Sequence, residues 1–319
     1  MDIFGALLNP AILFFVLGAA AAFARSDLSV PESVTKGLSL YLMAAIGLKG
    51  GVAVAETGLT GDFIAAGLIG LALSFLLPLP AFALLRRAGL SVVDAGAVAA
   101  HYGSVSVVTF VTGSEILTGQ GIPPAGYMVA VLALMETPAI VTGLLLARRG
   151  ATARPSAERG ELVRDVLLNP SVVLLAGSFA IGLTIGEAKF AGIAPVFEAG
   201  FKGVLCLFLL DMGLVAARRL LGSRLLTPKL VALAVLLPLI NGAIGVVLGN
   251  FAGLDVGTAA VLGILAASAS YIAVPAAMRL ALPQADPGLY LSMSLGITFP
   301  FNIVIGIALF TALAQRLAA

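Results

Sequence analysis

The stretch from His101 to Phe110, HYGSVSVVTF, decides how this chain folds. It lies inside an apolar segment long enough to cross a bilayer. Yet it sets a histidine, a glycine, two serines and a threonine where a lipid-facing helix would carry Leu and Val. Polar side chains and unwound backbone are tolerated at membrane depth only where protein buries them or where they line a cavity. A second stretch, Ser268 to Pro275 (SASYIAVP), has the same character. Together they predict two broken helices, in spans four and nine, crossing at mid-membrane around a binding site.

Composition sets the class. Of 319 residues, 60% are hydrophobic and 11% charged, with a mean hydropathy of +1.12. Soluble domains carry about 25% charged residues, so an all-α integral membrane protein is predicted. A net charge of +2 without a Lys/Arg-rich run gives no footprint for nucleic acid. The single Cys206 rules out a disulfide within the chain. Met1 to Pro10 lacks the basic start of a signal peptide.

Ten apolar segments are long enough to span: 9–25, 34–55, 62–85, 93–117, 124–147, 168–186, 197–217, 228–250, 256–279 and 287–314. They divide into a first five-helix repeat over 1–147, a hydrophilic loop over 148–166, and a second over 167–319. The loop carries Arg148, Arg149, Arg154, Arg159 and Arg164. Placed in the cytoplasm, it shares that side with Arg25, Lys36, Arg86, Arg87, Arg218, Arg219, Arg224, Lys229 and Arg279, which makes 14 of the 18 basic residues. By the positive-inside rule both termini are then outside.

The halves echo one another. Leu7-Leu8-Asn9-Pro10 returns as Leu167-Leu168-Asn169-Pro170, each reading as a helix start with Asn as cap and Pro first inside. Leu76-Leu77-Pro78-Leu79 returns as Leu236-Leu237-Pro238-Leu239. Ala99-Ala100 before the first polar stretch resembles Ala266-Ala267 before the second, and Thr137-Pro138 faces Phe299-Pro300. With five spans per half, the second repeat must be inverted. Inverted repeats with discontinuous helices point to a secondary transporter with its site between the repeats.

Each break should present a helix N-terminus at mid-membrane. Two such termini, from opposite sides, make an anion site without an arginine. Glu136 beside Thr137 and Pro138, with Thr298 and Asn302 around Pro300, offers carboxylate, hydroxyl, amide and freed carbonyl oxygens suited to a hard monovalent cation. Lys49 and Asp211, in spans two and seven, are expected to pair. His101, the only histidine, reads as a packed residue beside the break, and no transition-metal site follows. Ser104, Ser106 and Ser270 have no nucleophile–base arrangement around them, so an intramembrane enzyme is disfavoured. A passive anion channel differs from a transporter only by coupling to a gradient.

The NP-opened first span, Pro31 to Gly51 (PESVTKGLSLYLMAAIGLKGG), the Gly/Ser break of span four, Met135 to Val141 (METPAIV) and Ser268 to Leu291 carry a resemblance. The chain resembles the sodium-dependent bicarbonate transporters best known from cyanobacteria. The resemblance implies a gate domain of helices 1, 2, 6 and 7 and a core domain of helices 3–5 and 8–10. It implies sodium-coupled symport of bicarbonate by alternating access, and a homotrimer in a bacterial inner membrane. The anion would sit at Gly103, Ser104, Val105, Ser106, Ser270, Tyr271, Ile272 and Ala273. Sodium would lie among Ser104, Ser106, Glu136, Thr137, Ser268, Ser270, Thr298 and Asn302, as coupling ion and not as cofactor. Tyr271 stands where the cyanobacterial form carries an Asp. The short central loop speaks against a P-II-like regulatory partner. The similarly built bile-acid symporters suggest another small carboxylate as the alternative cargo.

Overall fold

The computed structural model describes residues 9–58, 60–148, 170–222 and 225–318. Among these the fold is helical throughout, with no strand. The helices are α1 (Pro10–Phe23), α2 (Glu32–Thr57), α3 (Gly61–Leu76), α4 (Pro78–Arg87), α5 (Val92–Gly103), α6 (Val107–Gly119), α7 (Met128–Glu136) and α8 (Pro138–Arg148). They continue as α9 (Pro170–Phe190), α10 (Phe201–Gly222), α11 (Pro228–Phe251), α12 (Val256–Ala267), α13 (Ala273–Ala281), α14 (Pro287–Leu291), α15 (Phe299–Phe301) and α16 (Ile307–Ala318).

Local chemistry sets several starts. The Asn9 side chain accepts from the amide of Ala11 with Pro10 in the first turn, as the sequence predicts. Its expected counterpart Asn169 lies outside the described residues, as do all the central-loop arginines except Arg148. Thr60, Thr227 and Asp255 cap α3, α11 and α12 through their side-chain oxygens. Each cap satisfies an amide that lacks a partner within its helix.

Seven helical stretches are long and apolar enough to cross a membrane: Glu32–Glu56, Gly61–Arg87, Val92–Gly119, Met128–Ala147, Val173–Phe190, Pro228–Phe251 and Pro287–Ala318. Helix α1 is shorter at 14 residues, and α10 carries Lys202, Asp211, Arg218 and Arg219 along its 22. Span nine is divided between α12 and α13 by Ser268–Ile272. Large apolar residues such as Leu68, Leu17, Leu145 and Ile181 remain exposed, the arrangement suited to lipid contact.

Two helix pairs run in close contact. Helix α1 packs along α10, and α2 along α9. Reciprocal glycines let the backbones meet. A Cβ on Gly18 would sit 2.0 Å from the Leu210 carbonyl oxygen, and one on Gly213 would sit 2.1 Å from that of Phe15. In the other pair, a Cβ on Gly51 would sit 2.0 Å from the Phe179 carbonyl oxygen, and one on Gly182 would sit 2.2 Å from that of Leu48. Lipid tails give helices no hydrophobic reason to associate, so close backbone packing of this kind supplies the attraction.

The broken spans pack among the remaining helices. Helix α5 packs on α4 and α8, and α12 packs on α11 and α16. Helix α6 crosses α12, and α13 crosses α5, so the two broken spans interlock. Span ten is not a continuous α-helix: Ser292–Thr298 and Asn302–Gly306 are π-helical turns on either side of α15. π turns are frequent at functional sites.

One expected contact is absent. Lys49 lies over the Phe201 ring, 5.2 Å from its centroid, whereas Asp211 accepts a hydrogen bond from Thr35 at 2.6 Å. Helices α2 and α10 run antiparallel, so Lys49 and Asp211 fall toward opposite ends and do not pair. Residue types matched the two charges, but helix direction separated them.

Candidate ion and anion site

The two broken spans are built to one plan. Helices α5 and α12 are each 12 residues long, capped by Ser91 and Asp255, 164 residues apart. Each ends in an extended serine: Ser104 at φ −87°, ψ 173°, and Ser268 at φ −75°, ψ 159°. Two residues later comes a second serine, Ser106 or Ser270, again 164 apart. The Ser106 hydroxyl accepts from the amide of Thr109 at 3.2 Å, and that of Ser270 from the amide of Val274 at 3.4 Å. The ends of these two helices thus recur at an offset of 164. The Asn-Pro and Leu-Leu-Pro-Leu matches lie instead at an offset of 160, because short matches recur too freely in so Leu- and Ala-rich a chain to fix a register.

The breaks are tied together. The amide of Ser270 donates to the His101 carbonyl at 3.0 Å. The amide of Ser106 donates to the Ser268 hydroxyl at 2.9 Å, which donates to the Leu265 carbonyl at 2.7 Å. His101 and Leu265 are themselves 164 residues apart. Each break therefore hands an amide to the last turn of the other's first half-helix, directly in one case and through a hydroxyl in the other.

Span five supplies a third discontinuity at Thr137-Pro138. Proline cannot donate to the carbonyl four residues back. The Ser74 hydroxyl enters the gap, donating to the Met135 carbonyl at 2.7 Å and accepting from the amide of Ala139 at 3.2 Å. The Ser104 hydroxyl donates to the Glu136 carbonyl at 2.9 Å. These bonds hold Glu136 at the C-terminal end of α7, 3% exposed, with Oε2 buried and without a hydrogen-bond partner.

Between these parts lies a cavity of about 10 Å³ lined by Val105, Ser106, Val107, Glu136, Ser270, Tyr271 and Ile272. That is about the space of one water. The amides opening α6 and α13 have no acceptor in their own helices and give the cavity a partly positive wall. The Glu136 carboxyl, at a helix C-terminus, gives it an acceptor-oxygen wall opposite. The Tyr271 hydroxyl approaches Ser106 without a hydrogen bond of good geometry, and its ring packs edge-on against Phe299 at 5.1 Å. One wall suits an anion and the other a small cation.

The remaining expected residues are placed differently. Ala273 opens α13 beside the cavity. Gly103 does not line it: a Cβ there would meet Pro78 at 2.4 Å and Ala139 at 2.9 Å. Thr298 donates to the Ala234 carbonyl at 2.6 Å and shares a hydrogen bond with Tyr102 at 2.7 Å. Asn302 donates to the Ala267 carbonyl at 2.8 Å, leaving its Oδ1 buried without a partner. Thr137 is half-buried at the break itself. His101 is fully buried, bonded through Nδ1 to the Ala97 carbonyl at 2.7 Å and stacked on Tyr290. Ser74 and Tyr102 were missed, since nothing in their local sequence marks a hydroxyl that repairs another helix. No group of three metal-ligating side chains occurs among the described residues.

A sequence profile of the Na+-dependent bicarbonate transporter superfamily matches residues 10–315, nearly the whole chain. The chain belongs to that superfamily. It is a multi-pass membrane transporter and not an enzyme, and membership implies sodium-dependent bicarbonate transport. No curated protein matches it. Both breaks, Glu136 and the π turns of span ten lie within the matched residues of this family member.

Proposed function

We propose that the chain is a sodium-coupled bicarbonate symporter that works by alternating access between two inverted repeats. The observation that carries the reading is the cavity where the openings of α6 and α13 meet the unpartnered carboxyl of Glu136. Sodium sits against Glu136 Oε2 with hydroxyls of Ser106, Ser270 and Tyr271 in reach. The anion sits against the opening amides of α6 and α13. Each ion offsets the charge of the other, which makes their movement interdependent. An ionised carboxylate buried alone is costly at membrane depth, so a bound cation also stabilises the loaded site.

The repeated plan of α5 and α12, the reciprocal amides and the paired glycine contacts support the inverted repeat. The same packing supports a gate domain of α1, α2, α9 and α10 moving against a core of the other helices. Positive charge on Arg25, Arg86, Arg218 and Arg279 supports a cytoplasmic side there, with both termini outside. A cavity of about 10 Å³ is too small for an ion with three oxygens. Loading therefore needs the gate to move, and a site closed in this way argues against an open pore.

Purified protein in liposomes, given an inward sodium gradient, tests the reading. Labelled bicarbonate should accumulate with sodium and not with potassium, and an outward gradient should reverse the flux. Uptake of acetate but not bicarbonate would move the assignment to another carboxylate. Gradient-independent equilibration would identify a channel.

A further inference from the structure

A larger pocket, of about 200 Å³, lies one helical turn beyond the central cavity. Val107 lines the cavity, and Phe110, Val111, Ser114 and Thr118 continue the same face of α6 into the pocket. The opposite wall is α2, through Ile46, Lys49, Gly50 and Ala53. Residues opening α7 and Phe201 of α10 complete it. It opens at the end of the fold away from Lys36, Arg86 and Arg218.

Its charges are uneven. Glu115 in the wall is paired with Lys202 at the rim, at 2.9 Å. No carboxylate among the described residues pairs with Lys49; its recorded contact is the Phe201 ring. Lys49 is the cation that lines the pocket without a carboxylate partner, and Asp255, bonded to Thr258 behind Ala125, lies outside the lining. The Ser114 hydroxyl, also in the wall, is buried without a hydrogen-bond partner. An ammonium with a hydroxyl nearby in a half-enclosed, largely apolar space attracts an anion far more strongly than the same group on an open surface.

We propose that this pocket is a capture site for a small monoanion on the route to the central cavity, with Lys49 as the residue that holds the anion and Ser114 as a second donor. Lys49 sits on the gate and Ser114 on the core, so an anion bound here bridges the two bodies that must separate for it to proceed. The inference relies on the proposed transport only for the anion's identity, since capture is a binding property measurable without transport.

Thr118→Cys in a Cys206→Ala chain places a thiol at the pocket wall. Its modification by anionic sulfonatoethyl and cationic trimethylammonioethyl methanethiosulfonates reads the local charge directly. With Lys49 present the anionic reagent should be favoured over the cationic one by roughly tenfold relative to Lys49→Gln. Millimolar bicarbonate should slow modification when Lys49 is present and not in Lys49→Gln. Protection should persist in Glu136→Gln, where the central cation site is impaired, so that failure of the transport reading leaves this result intact. Lys49→Arg should keep protection. In uptake assays Lys49→Gln should raise KM several-fold while preserving kcat. Equal rates for the two reagents, or protection independent of Lys49, overturns the proposal. A fall in kcat at unchanged KM does the same. Should Thr118→Cys not fold, Ala125→Cys, at a wall position with no part in holding the anion, provides the same reading.

Discussion

The amide of Ser270 donates to the carbonyl of His101 across 3.0 Å, joining two residues 169 positions apart at the point where two helices are both broken. This bond, with its partner through Ser268, sets where the half-helix openings face. Ser106 and Ser270 therefore have structural duties as well as a place at the cavity, while Ser268 serves the link alone.

Ser268→Ala should leave the buried amide of Ser106 without its acceptor. An unsatisfied buried group costs about 1–3 kcal/mol. Thermal unfolding in detergent should show the loss, and Ser268→Thr, which restores the hydroxyl, should recover most of it.

Gly103→Ala should destabilise by packing and not by blocking the anion. Its Cβ would press on the Pro78 ring and on Ala139, and overpacking of this kind costs about 1–3 kcal/mol. Gly177→Ala, where a Cβ meets nothing within 4 Å, is the matched control and should leave unfolding unchanged. Equal melting temperatures for the two variants would show that the span-three contact yields freely.

Glu136→Gln should retain the fold, since its carboxyl makes no hydrogen bond to lose through Oε2. Sodium activation of bicarbonate uptake should move to at least roughly tenfold higher sodium, the equivalent of about 1.4 kcal/mol. Unaltered activation in a folded variant would remove Glu136 from the cation site.

Phe15 of α1 meets Phe299 edge-on at 5.5 Å, and Phe299 in turn meets Tyr271 at 5.1 Å. This aromatic chain runs from the proposed gate to the break. Phe15→Cys with Phe299→Cys, in a Cys206→Ala chain, should be bridged by a short bifunctional methanethiosulfonate that stops uptake, and reduction should restore it. Uptake that continues in the crosslinked pair would show that the proposed gate and core need not separate there.

Much of this architecture was legible in the residues. Polar stretches interrupting apolar runs marked both breaks, because such residues cannot face lipid. Asn9-Pro10 marked a helix start, since cap and proline chemistry act within a few residues. Glu136 stood out because a carboxylate at membrane depth is rare and expensive. The 164-residue recurrence of the ends of α5 and α12 was not legible, because Ala and Leu recur too often for short matches to reveal it.

The sequence by itself determined that the chain is helical, embedded in a membrane, and broken at two matched places beside a buried carboxylate. These follow from composition and from interactions spanning a few residues. Only the tertiary structure decided which amide of one break meets which carbonyl of the other, that Gly103 packs while Ser106 lines, and that Ser74 repairs span five. It also decided that Lys49 belongs to an open pocket and not to Asp211. Such outcomes depend on helix direction and rotation in space, which set distances between residues far apart in the chain and leave no mark on the local pattern of either one.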